Sequence, residues 1–122
     1  MDGRIVDAIM MNAYELSRLL INEYSAKILT YAEDRPRTVQ DMCQNLGIPV
    51  TQGYRHVHSL VAEGLLSCEG RILTQKGKWT RLYLSQIRRA QILFDEGKVR
   101  MRLELKTGQV LWSDDWEARA AE

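Results

Sequence analysis

Residues 51–63 place several hydrogen-bonding side chains at helical spacing, with an arginine among them and no acidic residue before Glu63. Donors and acceptors of this kind can read the edges of base pairs. The lack of negative charge also suits a polyanionic partner. The residues predicted to read bases are Thr51, Gln52, Tyr54, Arg55 and His58.

A basic stretch follows this segment. Residues 71–102 contain nine Lys or Arg and only two Asp or Glu, although the whole chain has a net charge of +1. Arg71, Lys76 and Lys78 stand at the start of the stretch and are predicted to approach backbone phosphates. A charged face that only solvates a helix is the alternative interpretation.

The sequence contains no recognisable catalytic or metal-binding pattern. There is no nucleophile-base-acid arrangement, Gly-rich phosphate loop or metal-ligand spacing. We therefore expect no enzymatic activity, cofactor or bound metal. Cys43 is predicted to pack inertly, with a ligand or redox role as the alternative. Cys68 lies on a predicted strand, where its exposure depends on the strand face. A reactive thiol is therefore an alternative interpretation for this residue.

The elements that would position these residues begin with helices. Apolar spacing predicts an amphipathic helix over 5–24, broken near Asn12, and a short second helix from Ser25. The third is predicted between a cap at Thr38, supported by Asp41, and a stop at Gly47. The fourth is predicted to start with Thr51 as its cap and to end at Gly64, with Val57, Leu60 and Val61 pointing inward.

Strand signals come later in the chain. A hairpin is predicted from Leu65–Cys68 and Arg71–Leu73 around a Glu69-Gly70 turn, and a second one, with one buried face, from Val99–Leu105 and Val110–Trp112. Between them, Thr74 is predicted to cap a long helix that runs to Asp95. The predicted fold class is mainly α with small β (α+β), a winged helix-turn-helix with long flanking helices. The predicted domains are an N-terminal helix (1–24), a DNA-binding domain (25–73), and the long helix with the C-terminal hairpin (74–122).

Two helices joined by a short turn and followed by a hairpin have the order of a winged helix-turn-helix, whose second helix lies in the major groove. The segments TVQDMCQNLGIP, GYRHVHSLVAEGLL and ILTQKG resemble the winged helix-turn-helix regulators of the ArsR-like group of archaea and bacteria. The resemblance implies a transcriptional regulator that binds duplex DNA through residues 51–63, with the wing 65–73 near the backbone. Metal-sensing members use Cys-x-Cys pairs or clustered His and carboxylates, a pattern that this chain departs from.

Several interpretations stay open at this point. Tyr54 can pack its ring against Thr38 and the turn, or touch a sugar or base. His56 is expected to turn toward the helix pair or solvent, and His58 outward. The rival function is a winged-helix adaptor that binds proteins and no DNA, because this fold also serves in such assemblies.

The size and composition of the chain set its broad class. With 122 residues and 45% hydrophobic content, one domain with an appendage is expected. The sequence shows no membrane span or secretory signal, and two cysteines fit a reducing compartment, so we expect a cytoplasmic protein. A homodimer is also expected, with helix 5–24 or helix 74–95 as its seam.

Overall fold

The computed structural model of the chain describes residues 13–112 and the backbone of residues 116–117. These residues form two compact units. The helix-hairpin unit is residues 22–86, and the sheet unit combines residues 13–21 with residues 87–112 and 116–117. Helices and strands take up similar numbers of described residues, so the fold class is α+β, and the expectation of a mainly α chain was wrong.

Four helices lie in the described residues. Helix α1, Ala13–Ile21, belongs to the sheet unit, whereas α2 (Glu23–Tyr31), α3 (Val39–Leu46) and α4 (Val50–Ala62) belong to the helix-hairpin unit. None of them has the length and apolar content that a bilayer-spanning helix requires.

The boundary between α1 and α2 differs from the prediction. The first part of the predicted helix 5–24, with its break near Asn12, lies outside the described residues, and the remainder ends at Ile21. Asn22 is the N-cap of α2, because its side-chain oxygen accepts hydrogen bonds from the backbone N–H groups of Tyr24 and Ser25, at 3.0 and 3.3 Å. The second helix therefore begins at Glu23 and not at Ser25.

Helix α3 has the ends that the sequence predicts. The Thr38 hydroxyl accepts from the Asp41 backbone N–H at 3.0 Å, and Gly47 adopts a left-handed conformation with φ 68°. The turn from Gly47 to Pro49 then leads directly into α4.

Helix α4 begins two residues earlier than predicted. Pro49 occupies the cap position without a side-chain hydrogen bond, and its carbonyl accepts from the Gly53 N–H at 2.9 Å. Thr51 therefore lies in the first turn and is not the cap. Val57 and Leu60 are buried as predicted, but Val61 is 37% exposed, and Gly53 completes the buried face in its place.

The hairpin that follows α4 is longer than predicted. Strand β1, Leu66–Leu73, runs through the expected Glu69-Gly70 turn and pairs antiparallel with β2, Trp79–Ser85. The register shifts between Cys68 and Gly70, so the glycine marks a β-bulge. The chain reverses instead at Gln75–Gly77, where Gly77 has φ 78° and the Thr74 N–H donates to the Lys78 carbonyl at 2.7 Å.

The long helix predicted over Thr74–Asp95 was wrong. This stretch forms the tip of the first hairpin, β2, and a further strand β3, Ile87–Asp95. The Thr74 hydroxyl accepts from the Lys78 N–H at 3.1 Å and so closes the loop where a helix cap was expected. Burial in β2 follows a period of two, with Tyr83 and Ser85 buried, as a strand requires.

The helix-hairpin unit is held together around the inner faces of its helices and the base of the hairpin. The Arg37 and Tyr83 backbones exchange two hydrogen bonds of 2.8 Å, which tie the segment between α2 and α3 to β2. The buried apolar residues of this unit are Ile28, Leu29, Ala32, Val39, Met42, Cys43, Ile48, Val57, Leu60, Leu65, Leu66 and Tyr83.

The sheet unit contains the predicted second hairpin. Strand β4, Lys98–Leu105, pairs with β5, Val110–Trp112, and its residues Met101, Leu103 and Leu105 form the expected buried face. On the edge opposite β5, β4 pairs with β3, to which it is joined by a two-residue turn. Strand β6, Trp116–Glu117, also pairs with β4, at Lys98 and Val99. Helix α1 packs against β4 and buries Ala13 and Leu16.

Candidate nucleic-acid interface

The outer face of α4 is fixed by what its inner face touches. Gly53 lies so close to α3 that a Cβ atom built on it would stand 2.5 Å from Cys43 Sγ and 3.4 Å from Val39 Cγ1. With Val57 and Leu60 buried, this close approach sets the rotation of α4 about its axis. The side chains on the opposite side of the helix therefore point away from the core.

The predicted base-reading residues share that outer face. Arg55 is exposed, and its guanidinium donates to Oε1 of the half-buried Gln52. The rings of Tyr54 and His58 are neighbours, with their centroids 6.2 Å apart. The exposed members of the predicted set on α4 are Thr51, Tyr54, Arg55 and His58.

His56 points in another direction, as expected. Its Nδ1 lies 3.2 Å from Ser25 Oγ, and its ring meets the Tyr24 ring edge-on at 5.6 Å. Burial, and next the neighbouring Arg55 charge, lower the pKa of His56. The side chain thus joins α4 to α2, and the lowered pKa favours its neutral form.

The hairpin adds two arginines that stand directly opposite each other. Arg71 on β1 pairs in register with Arg81 on β2, and no ion pair among the described residues involves either side chain. Like charges at opposed positions destabilise a strand pair. Such a pair is expected where an anionic ligand neutralises it.

An aromatic residue completes this strand face. The Arg71 guanidinium lies 5.2 Å from the centroid of the Trp79 ring, and Trp79 itself is 61% exposed. Together with residues of α4 these side chains surround an open cleft of about 290 Å³. The cleft is lined by Val39, Tyr54, His58, Arg71, Trp79, Thr80, Arg81 and Tyr83.

The cleft brings together three of the predicted residues, Tyr54, His58 and Arg71. It also contains Trp79 and Arg81, which were predicted to lie on a helix and were therefore not among the predicted site residues. Trp79, Arg81 and Tyr83 recur at every second position, and this alternation is the signal that would have placed them on one strand face.

Lys76 and Lys78 lie at the tip of the hairpin. Both are exposed, and both belong to the loop that joins β1 to β2. They were predicted at the start of a helix, so their position is corrected to the far end of a two-stranded arm.

The basic stretch 71–102 is divided between the two units. In the helix-hairpin unit it contributes Arg71, Lys76, Lys78 and Arg81, none of which has a carboxylate partner among the described residues. In the sheet unit three of the cations surround an acid instead. The guanidinium nitrogens of Arg88, Arg89 and Arg102 lie 3.9, 4.0 and 3.6 Å from the Glu104 carboxylate.

One further arginine is held inside the helix-hairpin unit. Arg37 lies 3.9 Å from the centroid of the Tyr31 ring and 3.7 Å from the Asp41 carboxylate. The Tyr31 hydroxyl donates to Asp41 at 2.8 Å, and this hydrogen bond is the main cause that raises the pKa of Tyr31. The cluster joins α2 to α3, so Arg37 acts in the scaffold.

The two cysteines differ in surroundings. Cys43 is buried between α3 and α4, and burial raises the pKa of its thiol, which agrees with a packing role. Cys68 is exposed on β1, with its sulfur 3.6 Å from the Gly70 carbonyl oxygen. Within the described part of the chain, no three His, Cys, Asp or Glu side chains come together as metal ligands would.

Comparison with known proteins gives no family. Neither a scan against models of protein families nor a search of the curated proteins finds a match to this chain. The function is therefore inferred from the geometry of α4 and the hairpin.

Proposed function

We propose that the chain is a winged helix-turn-helix protein that binds duplex DNA and regulates transcription. In this proposal α3 and α4 are the helix-turn-helix, and the β1–β2 hairpin is the wing. The described order of elements supports it, because a three-residue turn joins α3 to α4 and the hairpin follows α4 closely.

The observation that carries the proposal is the opposed pair Arg71 and Arg81 beside α4. Two cations on neighbouring strands, without a carboxylate partner, form a site for an anion. The cleft is open, so it suits a group that belongs to a long polymer. A backbone phosphate of duplex DNA meets these requirements, and exposed Lys76 and Lys78 extend the positive surface along the wing.

Base reading falls to α4 in this proposal. The major groove admits a helix, and Thr51, Gln52 and Arg55 offer donors and acceptors to base edges. Tyr54 and His58 lie between this surface and the arginine pair, where sugar and phosphate contacts are expected.

A second candidate function is a protein-protein adaptor. Ile72 and Leu73 are both exposed on β1 near the wing tip, and such apolar side chains favour a protein partner. The absence of acidic residues from α4 and the cations of the wing favour DNA over this candidate.

The proposal assigns the chain to the cytoplasm, with no enzymatic activity and no cofactor, and it includes a homodimer. One recognition helix covers only a few base pairs, so a second copy is needed to specify an operator.

The experiment that tests the proposal is selection from a pool of random duplexes, followed by fluorescence anisotropy with a selected and a scrambled duplex. We expect an enriched sequence motif and tighter binding of the selected duplex. Arg71→Glu/Arg81→Glu should abolish binding to both duplexes. The control is the single charge reversal Lys27→Glu, whose side chain belongs to a different cleft beside Leu46, and it should bind as the wild type does.

A wild-type chain that enriches no sequence and binds no duplex at low salt would contradict the proposal and support the adaptor function. Binding that survives the double charge reversal would show that the wing face is not the DNA surface.

A further inference from the structure

Strand β3 has a partner on one edge only. It pairs with β4 along its length, and no other described strand pairs with it. The turn between them has two residues, Glu96 and Gly97, with φ 51° and 81°, as in a type I′ hairpin. Asp95 and Lys98 next to such a turn form a hydrogen-bonded pair, and the pattern alternates from there.

This alternation determines which backbone groups of β3 point outward. Leu93 and Gln91 exchange hydrogen bonds with β4, as Asp95 does. Ala90, Ile92 and Phe94 therefore direct their N–H and C=O groups away from β4. These three residues form a template for a further strand.

The side chains of the same three residues are apolar and lie on one sheet face. Their register partners on β4 are Leu103, Met101 and Val99, on the face that α1 covers at β4. At the β3 edge this apolar face is open, since Ile92 is 39% and Phe94 82% exposed. A long exposed edge strand with apolar side chains is a site of strand-to-strand association unless it is blocked.

We propose that β3 pairs antiparallel with β3 of a second copy of this chain, about a two-fold axis at Ile92. Ile92 then pairs with the partner's Ile92, and Phe94 pairs with the partner's Ala90. All of these residues have outward-pointing backbone groups, so the hydrogen-bond pattern is satisfied on both strands. The arrangement is isologous and closed, as a two-fold dimer requires.

The charges of β3 fit this register. Asp95 stands opposite the partner's Arg89, and the symmetry repeats the pair. Arg89 is exposed and makes only a 4.0 Å contact to Glu104, and Asp95 makes no ion pair among the described residues. Moving the axis to Gln91 or Leu93 would place Asp95 opposite the partner's Ile87 or the partner's Gln91. Neither of those residues is a cation, so the axis at Ile92 is selected.

The proposed dimer interface does not depend on the DNA-binding proposal, because dimer formation is measured without DNA. It replaces the seam expected on a helix over 74–95, since that helix is absent.

The test exchanges the two charges, Arg89→Glu and Asp95→Lys, in separate proteins. In sedimentation without DNA, the wild type is expected at twice the 14.1 kDa chain mass. Each variant places two like-charged pairs in the seam, so its dimer dissociation constant should rise about tenfold or more. An equimolar mixture has two complementary pairs and should form a heterodimer of wild-type affinity, which also shows that both variants fold.

Ala90→Pro is the second variant. It removes an outward N–H without touching a bond to β4, and proline is tolerated on edge strands. We expect a folded monomer by circular dichroism and sedimentation. A wild-type monomer at tens of micromolar, a mixture that does not associate, or an Ala90→Pro dimer as tight as the wild type would each overturn the proposal.

Discussion

Arginines on the helix-hairpin unit and on the sheet unit have opposite surroundings. Arg71 and Arg81 face each other across two strands with no carboxylate between them. Arg88, Arg89 and Arg102 instead surround the one carboxylate of Glu104. Both groups of arginines belong to the basic stretch 71–102. Only Arg71 and Arg81, however, lack a carboxylate partner within the described residues. Arginines without a carboxylate partner indicate a ligand surface, whereas arginines that share a carboxylate indicate part of the scaffold.

This difference gives the basic stretch 71–102 two roles. Its first part supplies the wing and its second part belongs to a sheet whose open edge is the proposed seam. The following predictions test that division, and the largest effect is expected where α4 is held against α3.

Replacing Gly53 by alanine should destabilise the scaffold that presents the DNA surface. The new Cβ would stand 2.5 Å from Cys43 Sγ. We expect a loss of about 3 kcal/mol in the free energy of unfolding, at the upper end of what overpacking costs. Urea denaturation measures it.

The matched control is Cys43→Ala/Gly53→Ala, in which the sulfur is removed. It should regain most of the lost stability, because the two positions share one contact. If the double variant is no more stable than Gly53→Ala, the close approach of α4 to α3 is not what positions the helix.

Part of this structure could be predicted from local signals. The Thr38 hydroxyl, Gly47 and the apolar stripe of Val57 and Leu60 act over a few residues, so α3 and α4 were predicted nearly in full. The second hairpin was found because Val99–Leu105 alternates strictly, and its odd-numbered residues Met101, Leu103 and Leu105 are buried.

The segment 74–95 could not be predicted in the same way. Its apolar residues recur at three- and four-residue spacing and thus imitate a helix, although the sheet buries only some of them. Phe94 shows the reason most clearly, since it is the most exposed of the large apolar side chains described. Because this strand pairing was not predicted, the predicted site did not include Trp79 and Arg81, which contact Arg71 only across the hairpin.

Within the DNA surface, α4 and the wing tip should act differently. Arg55→Ala should weaken binding to a selected duplex by about 1–3 kcal/mol and reduce discrimination against a scrambled one. Lys76→Ala and Lys78→Ala should weaken binding to both duplexes alike, because the tip loop can reach phosphates but presents no rigid element to base edges.

Competition binding with both duplexes measures this difference. The division of labour is contradicted if the lysine variants change the ratio of the two affinities while Arg55→Ala leaves it intact.

A smaller effect is expected from pH on the contact between α4 and α2. The pKa of His56 is lowered in the folded chain, so the unfolded chain binds more protons near and below the ordinary value of 6.5. The free energy of unfolding should therefore fall as the pH falls through that range. His56→Gln should lessen this fall between about pH 7.5 and about pH 5.5.

Urea titrations at each pH measure the trend, with His58→Gln, on the exposed face of the same helix, as the control. A His56→Gln protein with the same pH dependence as the wild type would show that burial and the Arg55 charge do not lower the pKa of His56.

The most direct test of the DNA-binding account is the salt dependence of duplex affinity for three proteins. Each phosphate contact that is lost should reduce the slope of log affinity against log salt by about one. We therefore expect Arg71→Gln/Arg81→Gln to reduce the slope by about two per bound chain, and Arg88→Gln/Arg102→Gln to leave it unchanged. A slope that is unchanged in the hairpin variant, or reduced in the sheet variant instead, would contradict the account.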